Sequence, residues 1–175
     1  MDGFLDTLSR EILEGPGPAA TIVIVRLVGA ALLAAVIGIE RELRDQAAGL
    51  RTNMLVGIAA AAYGMMGEAL IAAHAGEAGL IRMDPLRLIE AVTGGVAFLA
   101  AGLIVFMRGE VHGLTTGAAM WLSAAAGLAV GLGLWLLAVA AAVGGLLVLA
   151  VLRAVEVAIG LRAPKLKIRR ERTDD

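Results

Sequence analysis

The chain has no cysteine, only four prolines, and few aromatic residues, which make up 3% of its 175 residues. Without cysteine there can be no disulfides, thiolate metal sites or thiol nucleophiles. Charged residues are also scarce, at 18%, whereas hydrophobic residues reach 59%. A water-soluble domain of this size could not cover so much apolar surface with so few charges. The formal net charge of −1 gives no sign of a nucleic-acid partner, and we expect none.

The longest stretch without a charged side chain, residues 113–152, covers 40 residues. As one helix it would be roughly 60 Å long, about twice the thickness of a bilayer's hydrocarbon core. It is therefore predicted to form two membrane spans joined by a turn at Gly131-Leu132-Gly133. With three earlier apolar stretches, the sequence predicts an all-α polytopic bundle of five transmembrane helices. The expected spans are 19–39, 54–73, 85–107, 114–131 and 134–155.

Two short segments flank the predicted transmembrane domain at 19–157. Residues 1–18 form an N-terminal segment in which Phe4, Leu5, Leu8 and Ile12 share one helical face, before a Gly/Pro break at 15–18. This pattern is typical of a short helix in the membrane interface, and a frayed polar terminus is the alternative. Residues 158–175 form a basic tail. The acidic, amphipathic start of the chain is unlike a cleavable signal peptide.

The distribution of basic residues predicts the orientation in the membrane. Eleven lysines and arginines fall in the first and third connections and at the C-terminal end, against two on the opposite side. We therefore expect the N-terminus to lie outside and the C-terminus in the cytoplasm.

Four charged residues lie inside the first three predicted spans at a similar depth near the outer side: Arg26, Glu68, Arg87 and Glu90. Buried charges in a membrane are costly and usually face a partner or a water-filled cavity. Two of each sign at one depth predict an outer ion-pair cluster that joins the first three spans. Participation in an ion path is the alternative.

A second group of polar residues is expected to converge at the cytoplasmic mouth of the bundle: Glu40, Arg41, Glu42, Arg51, Thr52, Asn53, Thr115 and Thr116. Carboxylate and amide oxygens suit a hard cation such as Mg²⁺, so Glu40 and Asn53 are candidate metal ligands. The adjacent arginines favour the alternative, an interhelical salt-bridge lock. With no phosphate-binding glycine loop and no nucleophile motif, the sequence predicts no catalytic residues and no enzyme.

Small residues recur at four-residue spacing, as in Ala30, Ala34 and Gly38, and again in Gly127 and Gly131. Such spacing lets the backbones of membrane helices approach closely. It favours a compact bundle over a wide pore.

Several ordered motifs resemble the MgtC/SapB family of bacterial inner-membrane proteins. The first are Gly38-Ile39-Glu40-Arg41-Glu42 and Gly49-Leu50-Arg51-Thr52-Asn53, which match the family's G-x-E-R-E and G-L-R-T motifs. The others are Asp84-Pro85, a glycine-rich helix at 94–102, and the stretch from Gly113 to Trp121. The resemblance covers residues 22–155 and predicts a short form without the C-terminal cytoplasmic domain of longer members.

The resemblance implies a role in growth under magnesium limitation, in a family associated with virulence in some pathogens. Two hypotheses follow from it: a regulatory interaction protein of the membrane, or a Mg²⁺ transporter with its site at the cytoplasmic mouth. The first implies a membrane-protein partner. Mg²⁺ is the candidate ion, the lipid bilayer is the expected environment, and a second copy of the chain is a further candidate partner.

Overall fold

The computed structural model describes residues 4, 5, 7, 17–74, 84–107 and 110–159. These residues form five long helices and one short hairpin: α1 (Ala20–Glu42), α2 (Leu50–Ala73), α3 (Pro85–Leu103), β1 (Val105–Met107), β2 (Glu110–His112), α4 (Leu114–Gly131) and α5 (Trp135–Ala158). Phe4, Leu5 and Thr7 are helical. The rest of the predicted interfacial helix and the tail after residue 159 lie outside the described residues.

Four of the described helices, α1 to α4, are long and apolar enough to cross a bilayer. The apolar part of α5 that the structure describes, Trp135–Val151, has 17 residues, or roughly 25 Å of helix. Large apolar side chains cover the outside of the bundle; Phe98, for example, is 80% exposed and Leu136 85%. Such a surface suits lipid rather than water. The all-α prediction is confirmed, and the chain is a multi-pass membrane protein.

The helices begin and end differently from the predicted spans at two places that matter for the polar residues. Helix α1 continues to Glu42, three residues beyond the predicted end, and α2 begins at Leu50 rather than at residue 54. The charged motif residues therefore lie within helical turns instead of in the connecting loop. The helix backbone therefore fixes the positions of these residues.

The predicted third span, 85–107, is wrong at its end. Helix α3 ends at Leu103, Ile104 is extended, and β1 pairs antiparallel with β2, so that Phe106 lies opposite Val111. The run Ile104-Val105-Phe106 is β-branched and aromatic, which favours an extended strand over a helix. Gly113 then has a φ of +90°, and a Cβ there would lie 2.1 Å from the carbonyl oxygen of Leu103. Glycine is thus needed where the hairpin enters α4.

Helix α4 lies at the centre of the bundle and packs against the other four helices. Helices α1, α3 and α5 begin at one end of the bundle, where α2 and α4 end; we call this the Arg26 end. The opposite end, where α1 finishes and α2 and α4 begin, is the Glu40 end. The predicted turn between the last two spans is confirmed, because Gly133 has a φ of +75° between α4 and α5.

Helices α1, α2 and α4 meet at backbone distance. A Cβ on Gly127 would lie 2.2 Å from the carbonyl oxygen of Gly57, and one on Gly131 would lie 2.3 Å from that of Ala61. Gly57 in turn faces Ala34 of α1, whose Cβ would be 2.7 Å from a Cβ on Gly57. Small residues are therefore required at these crossings, as their spacing predicted.

Candidate functional site

The Glu40 end contains a buried carboxylate between two arginines. Glu40 is 8% exposed, and its carboxylate forms ion pairs with Arg44, one turn further along the chain, and with Arg41 at 3.9 Å. Neither carboxylate oxygen accepts a hydrogen bond in good geometry from a described residue. The charge of Glu40 is thus balanced by guanidinium groups at its own end of α1.

Arg41 connects α1 to α4. Its guanidinium Nη2 donates to the hydroxyl of Thr116 at 3.2 Å and to the side-chain oxygen of Gln46 at 2.8 Å. Arg41 is 4% exposed and Thr116 2%, so this contact is removed from solvent. Since Thr116 lies in the first turn of α4, the hydrogen bond joins the end of α1 to the start of the central helix.

Asn53 and Ser123 form a second buried contact, between α2 and α4. The hydroxyl of Ser123 donates to the side-chain oxygen of Asn53 at 2.8 Å, and both residues are fully buried. The amide nitrogen of Asn53 donates to the carbonyl oxygens of Ala48 and Gly49, at 3.1 and 2.8 Å. Every polar atom of the Asn53 side chain therefore has a protein partner, as a buried amide requires.

Glu42 lies where the end of α1 approaches the start of α2. Its carboxylate accepts the backbone N–H of Leu50, at 2.9 Å, and so caps the start of α2, where negative charge is favoured. A Cβ on Gly49 would lie 1.7 Å from that carboxylate, and one on Gly38 would lie 2.8 Å from the Cα of Leu50. Gly38 is thus needed for α1 and the start of α2 to approach each other, whereas a side chain at position 49 would displace the Glu42 carboxylate from the N–H of Leu50.

Three residues of the predicted cytoplasmic group take no part in these buried contacts. Arg51 and Thr115 are exposed, and Thr52 is half-buried. They lie at the same end of the bundle as Glu40, but no hydrogen bond or ion pair of their side chains is among the contacts of the described residues. The structure therefore brings together Glu40, Arg41, Asn53 and Thr116 with their neighbours, and leaves these three at the rim.

The predicted metal ligands, Glu40 and Asn53, have limited room for a cation. Asn53 uses its oxygen to accept from Ser123, and the carboxylate of Glu40 lies against Arg44, whose charge opposes a cation. Among the residues that the structure describes, no group of three or more acidic or histidine side chains could hold a metal ion. The metal assignment stays a prediction, and so does the interhelical salt-bridge lock. The ion pairs of Glu40 stay at its own end of α1, and the helices are joined here by the hydrogen bonds from Arg41 to Thr116 and from Leu50 to Glu42.

At the Arg26 end, the structure brings together one pair of the four predicted charges. Arg26 donates to Glu68 at 2.5 Å and to the carbonyl oxygen of Gly131 at 2.8 Å, so it contacts both α2 and α4. Arg87 and Glu90 are exposed on α3 and make no ion pair with another described residue. Within the described part of the chain, the structure thus brings together Arg26 and Glu68 alone of the four predicted charges, and α3 packs mainly on α4.

Sequence reasoning missed Ser123, Arg44 and Gln46 as members of the Glu40 end. Apart from Thr115 and Thr116 at its start, Ser123 is the one hydroxyl residue in the 40-residue uncharged stretch, and that isolation was the available signal. Its partner Asn53 lies 70 residues away in the chain, a separation that no local pattern reveals.

The sequence profile of the MgtC family matches residues 27–158, about three-quarters of the chain. Among curated proteins, "Putative magnesium transporter YhiD" of Escherichia coli (strain K12) is 37% identical over 133 residues, which cover 73% of this chain and 59% of that protein. "Protein MgtC" of Brucella abortus (strain 2308) is 36% identical over 137 residues, 78% of this chain and 54% of the relative.

A Haemophilus influenzae protein without an assigned function is 34% identical over 146 residues, 83% of this chain and 56% of the relative. This chain therefore spans little more than half the length of these curated relatives. No solved structure matches it. The profile match covers all five helices except the first turns of α1, and on that ground the chain belongs to the MgtC family.

Proposed function

We propose that this chain is a non-enzymatic inner-membrane protein that acts in magnesium homeostasis by binding and regulating another membrane protein. The link to magnesium is supported by the name of the Escherichia coli relative and by the family resemblance. The choice of regulator over transporter is supported by the packing of the bundle.

The observation that carries this choice is the contact between α2 and α4. At Gly57 and Gly127, and again at Ala61 and Gly131, the two backbones are so close that a single Cβ would collide with the facing carbonyl. Mg²⁺ holds its water ligands tightly and passes with several of them. A hydrated ion has no room between helices at that distance. An ion path between α2 and α4 would therefore require the two helices to separate.

The polar groups where α4 meets α1 and α2 also favour a structural role. Asn53 and Ser123 bond to each other, and Arg41 bonds to Thr116. Buried polar groups that satisfy one another fix helix register and make a bundle more rigid. A rigid bundle that presents a constant surface suits an interaction protein.

Flux in sealed vesicles tests this proposal. Purified protein is reconstituted with a Mg²⁺-sensitive dye inside, beside protein-free vesicles and vesicles with an established magnesium channel. We expect the rate of Mg²⁺ entry to equal that of protein-free vesicles, while the same gene restores growth of its deletion strain at low magnesium. A Mg²⁺ flux that is lost in Glu40→Gln, and kept in the matched variant Glu90→Gln at an exposed acid on α3, would overturn the proposal.

The transporter remains the second candidate, and one observation favours it. The carboxylate oxygens of Glu40 are buried and lack a well-aligned hydrogen-bond donor among the described residues, a state that a bound cation would relieve. In that case Glu40 would be a ligand for Mg²⁺ as the transported ion.

We also propose that the N-terminus lies outside the cell and the C-terminus in the cytoplasm, on the basis of the eleven-to-two distribution of basic residues. Because the chain has no cysteine, single cysteines at Thr7 and Thr173 report their own side without background. In intact cells an impermeant thiol reagent should label the first and spare the second. Labelling of both would contradict this orientation.

A further inference from the structure

An apolar cleft of about 470 Å³ separates α2 from α3. Leu55, Ala59 and Tyr63 line it on α2, and Leu88, Gly95 and Leu99 are among its residues on α3. Its volume is in the range of small-molecule sites, about 300–1,000 Å³. The tyrosine hydroxyl is the one side-chain polar group in the lining.

The cleft opens sideways, towards the lipid. Leu55 is 67% exposed, and Tyr63 and Leu99 are about half exposed. Towards the Arg26 end the cleft closes, because α2 and α3 touch there: a Cβ on Gly67 would lie 2.5 Å from the side chain of Leu88. A thin, flexible apolar chain fits a cleft that is closed at one end, whereas a transmembrane helix, about 10–12 Å wide with its side chains, does not.

Arg51 lies at the open end of this cleft. Arg51, Leu55, Ala59 and Tyr63 follow one another at four-residue spacing, which places them along one side of α2. Arg51 is therefore about 6 Å along the helix from the first lining residue. It is exposed and makes no ion pair with any residue in the described part of the chain.

The carboxylate of Glu42 does not neutralise the positive charge of Arg51. The carboxylate of Glu42 is occupied with the backbone N–H of Leu50, on the side of α2 that faces α1. Helical side chains tilt towards the N-terminus of their helix, so the guanidinium of Arg51 reaches away from the cleft, to the level of the lipid head groups. An apolar cleft whose mouth carries an arginine with no ion pair to a described residue is complementary to an anionic amphiphile.

We propose that this cleft binds one acyl chain of an anionic phospholipid and that Arg51 holds its phosphate. The acyl chain would lie along the roughly 12 Å of α2 between Leu55 and Tyr63, and the head group would stay at the Glu40 end of the bundle. This site does not depend on whether the protein regulates a partner or carries an ion.

Native mass spectrometry of the purified full chain tests the proposal. Phosphatidylglycerol and phosphatidylethanolamine with identical acyl chains are offered as the two probes. We expect one phosphatidylglycerol to be retained in preference to phosphatidylethanolamine, and Arg51→Gln to weaken its retention about fivefold. The control Arg87→Gln, at an exposed arginine of the other end, should retain the lipid as the original chain does. Equal retention of both lipids would overturn the proposal.

Two neighbouring glycines of α3 allow a variant and a matched control that test whether the cleft itself binds the lipid. A Cβ on Gly94 or on Gly95 meets no atom within 4 Å, but only Gly95 lines the cleft. Gly95→Leu should abolish retention of phosphatidylglycerol, whereas Gly94→Leu should leave it unchanged. If Gly95→Leu fails to fold, Ala59→Leu fills the same space from α2, and its melting temperature in detergent verifies the fold.

Two other results would overturn the assignment. One is an equal loss of lipid in Gly94→Leu and Gly95→Leu. The other is a change from dimer to monomer in Gly95→Leu alone, which would mean that a second copy of the chain fills the cleft.

Discussion

The three helices α1, α2 and α4 differ from α3 in how they are held. The first three meet at backbone distance and share buried polar contacts, such as the one between Asn53 and Ser123. Helix α3 packs chiefly on α4, carries exposed glycines, and leaves a cleft beside α2. In a membrane, where lipid replaces water around apolar side chains, close packing and hydrogen bonds hold helices together. The difference therefore separates a rigid core from a side that can accept lipid or a partner.

The largest expected effect comes from adding one methyl group to the core. Gly127→Ala would force a Cβ against the carbonyl oxygen of Gly57, so α2 and α4 would have to move apart. We expect the free energy of unfolding to fall by about 3 kcal/mol. Gly94→Ala on α3 meets no atom and should change it by at most about 1 kcal/mol. Thermal or chemical unfolding in detergent measures both; equal effects would remove the distinction between core and α3.

A smaller effect is expected from the buried hydrogen bond of the core. Asn53→Ala leaves the Ser123 hydroxyl and the carbonyl oxygen of Ala48 without their partner, while the carbonyl oxygen of Gly49 keeps the backbone N–H of residue 53. The change should cost about 2 kcal/mol. Ser123→Ala should cost less, about 1 kcal/mol, because only one bond is lost. A double-mutant cycle isolates the pair, and the double variant should be less destabilised than the sum of the single ones. Strict additivity would show that the two side chains contribute independently.

The smallest effect is expected at the rim of the core. The side chain of Glu68 is 46% exposed, so its ion pair with Arg26 is screened, and Glu68→Gln should cost under about 1 kcal/mol. Arg26→Leu should cost more, because the bond to Gly131 is lost as well. Arg26→Leu combined with Glu68→Leu should recover part of that loss in the same unfolding measurement. A double variant that simply sums the two losses would contradict their pairing.

Much of the fold follows from the sequence, because the membrane imposes a length on each apolar stretch. The 40-residue uncharged stretch predicts two helices and the turn at 131–133, and small-residue spacing predicts the close crossings at Gly127 and Gly131. The hairpin after Leu103 was not predicted, since the apolar run Ile104-Val105-Phe106 continues the hydrophobic pattern of α3. Hydropathy alone does not distinguish a strand from a last helical turn.

The candidate site was predictable in its segments but not in its contacts. The motifs around Glu40 and Asn53 indicate which segments meet, yet not that Arg44 lies against Glu40 or that Ser123 binds Asn53. Equal depth in the membrane suggested that Arg87 and Glu90 join Arg26. Depth does not fix the direction in which a side chain leaves its helix, and Arg87 and Glu90 are exposed on α3.

The central claim is that the polar groups of the core are bound to one another rather than to a cation. The most direct test is the melting temperature of the purified protein with and without Mg²⁺, at constant ionic strength, for the original chain, Glu40→Gln and the control Glu90→Gln. We predict that Mg²⁺ leaves the original chain unchanged. Glu40→Gln, which leaves Arg41 buried without its counter-charge, should lose about 3 kcal/mol of stability in both conditions. A Mg²⁺-specific rise in the original chain and in Glu90→Gln, absent from a folded Glu40→Gln, would instead mean that Glu40 holds the ion.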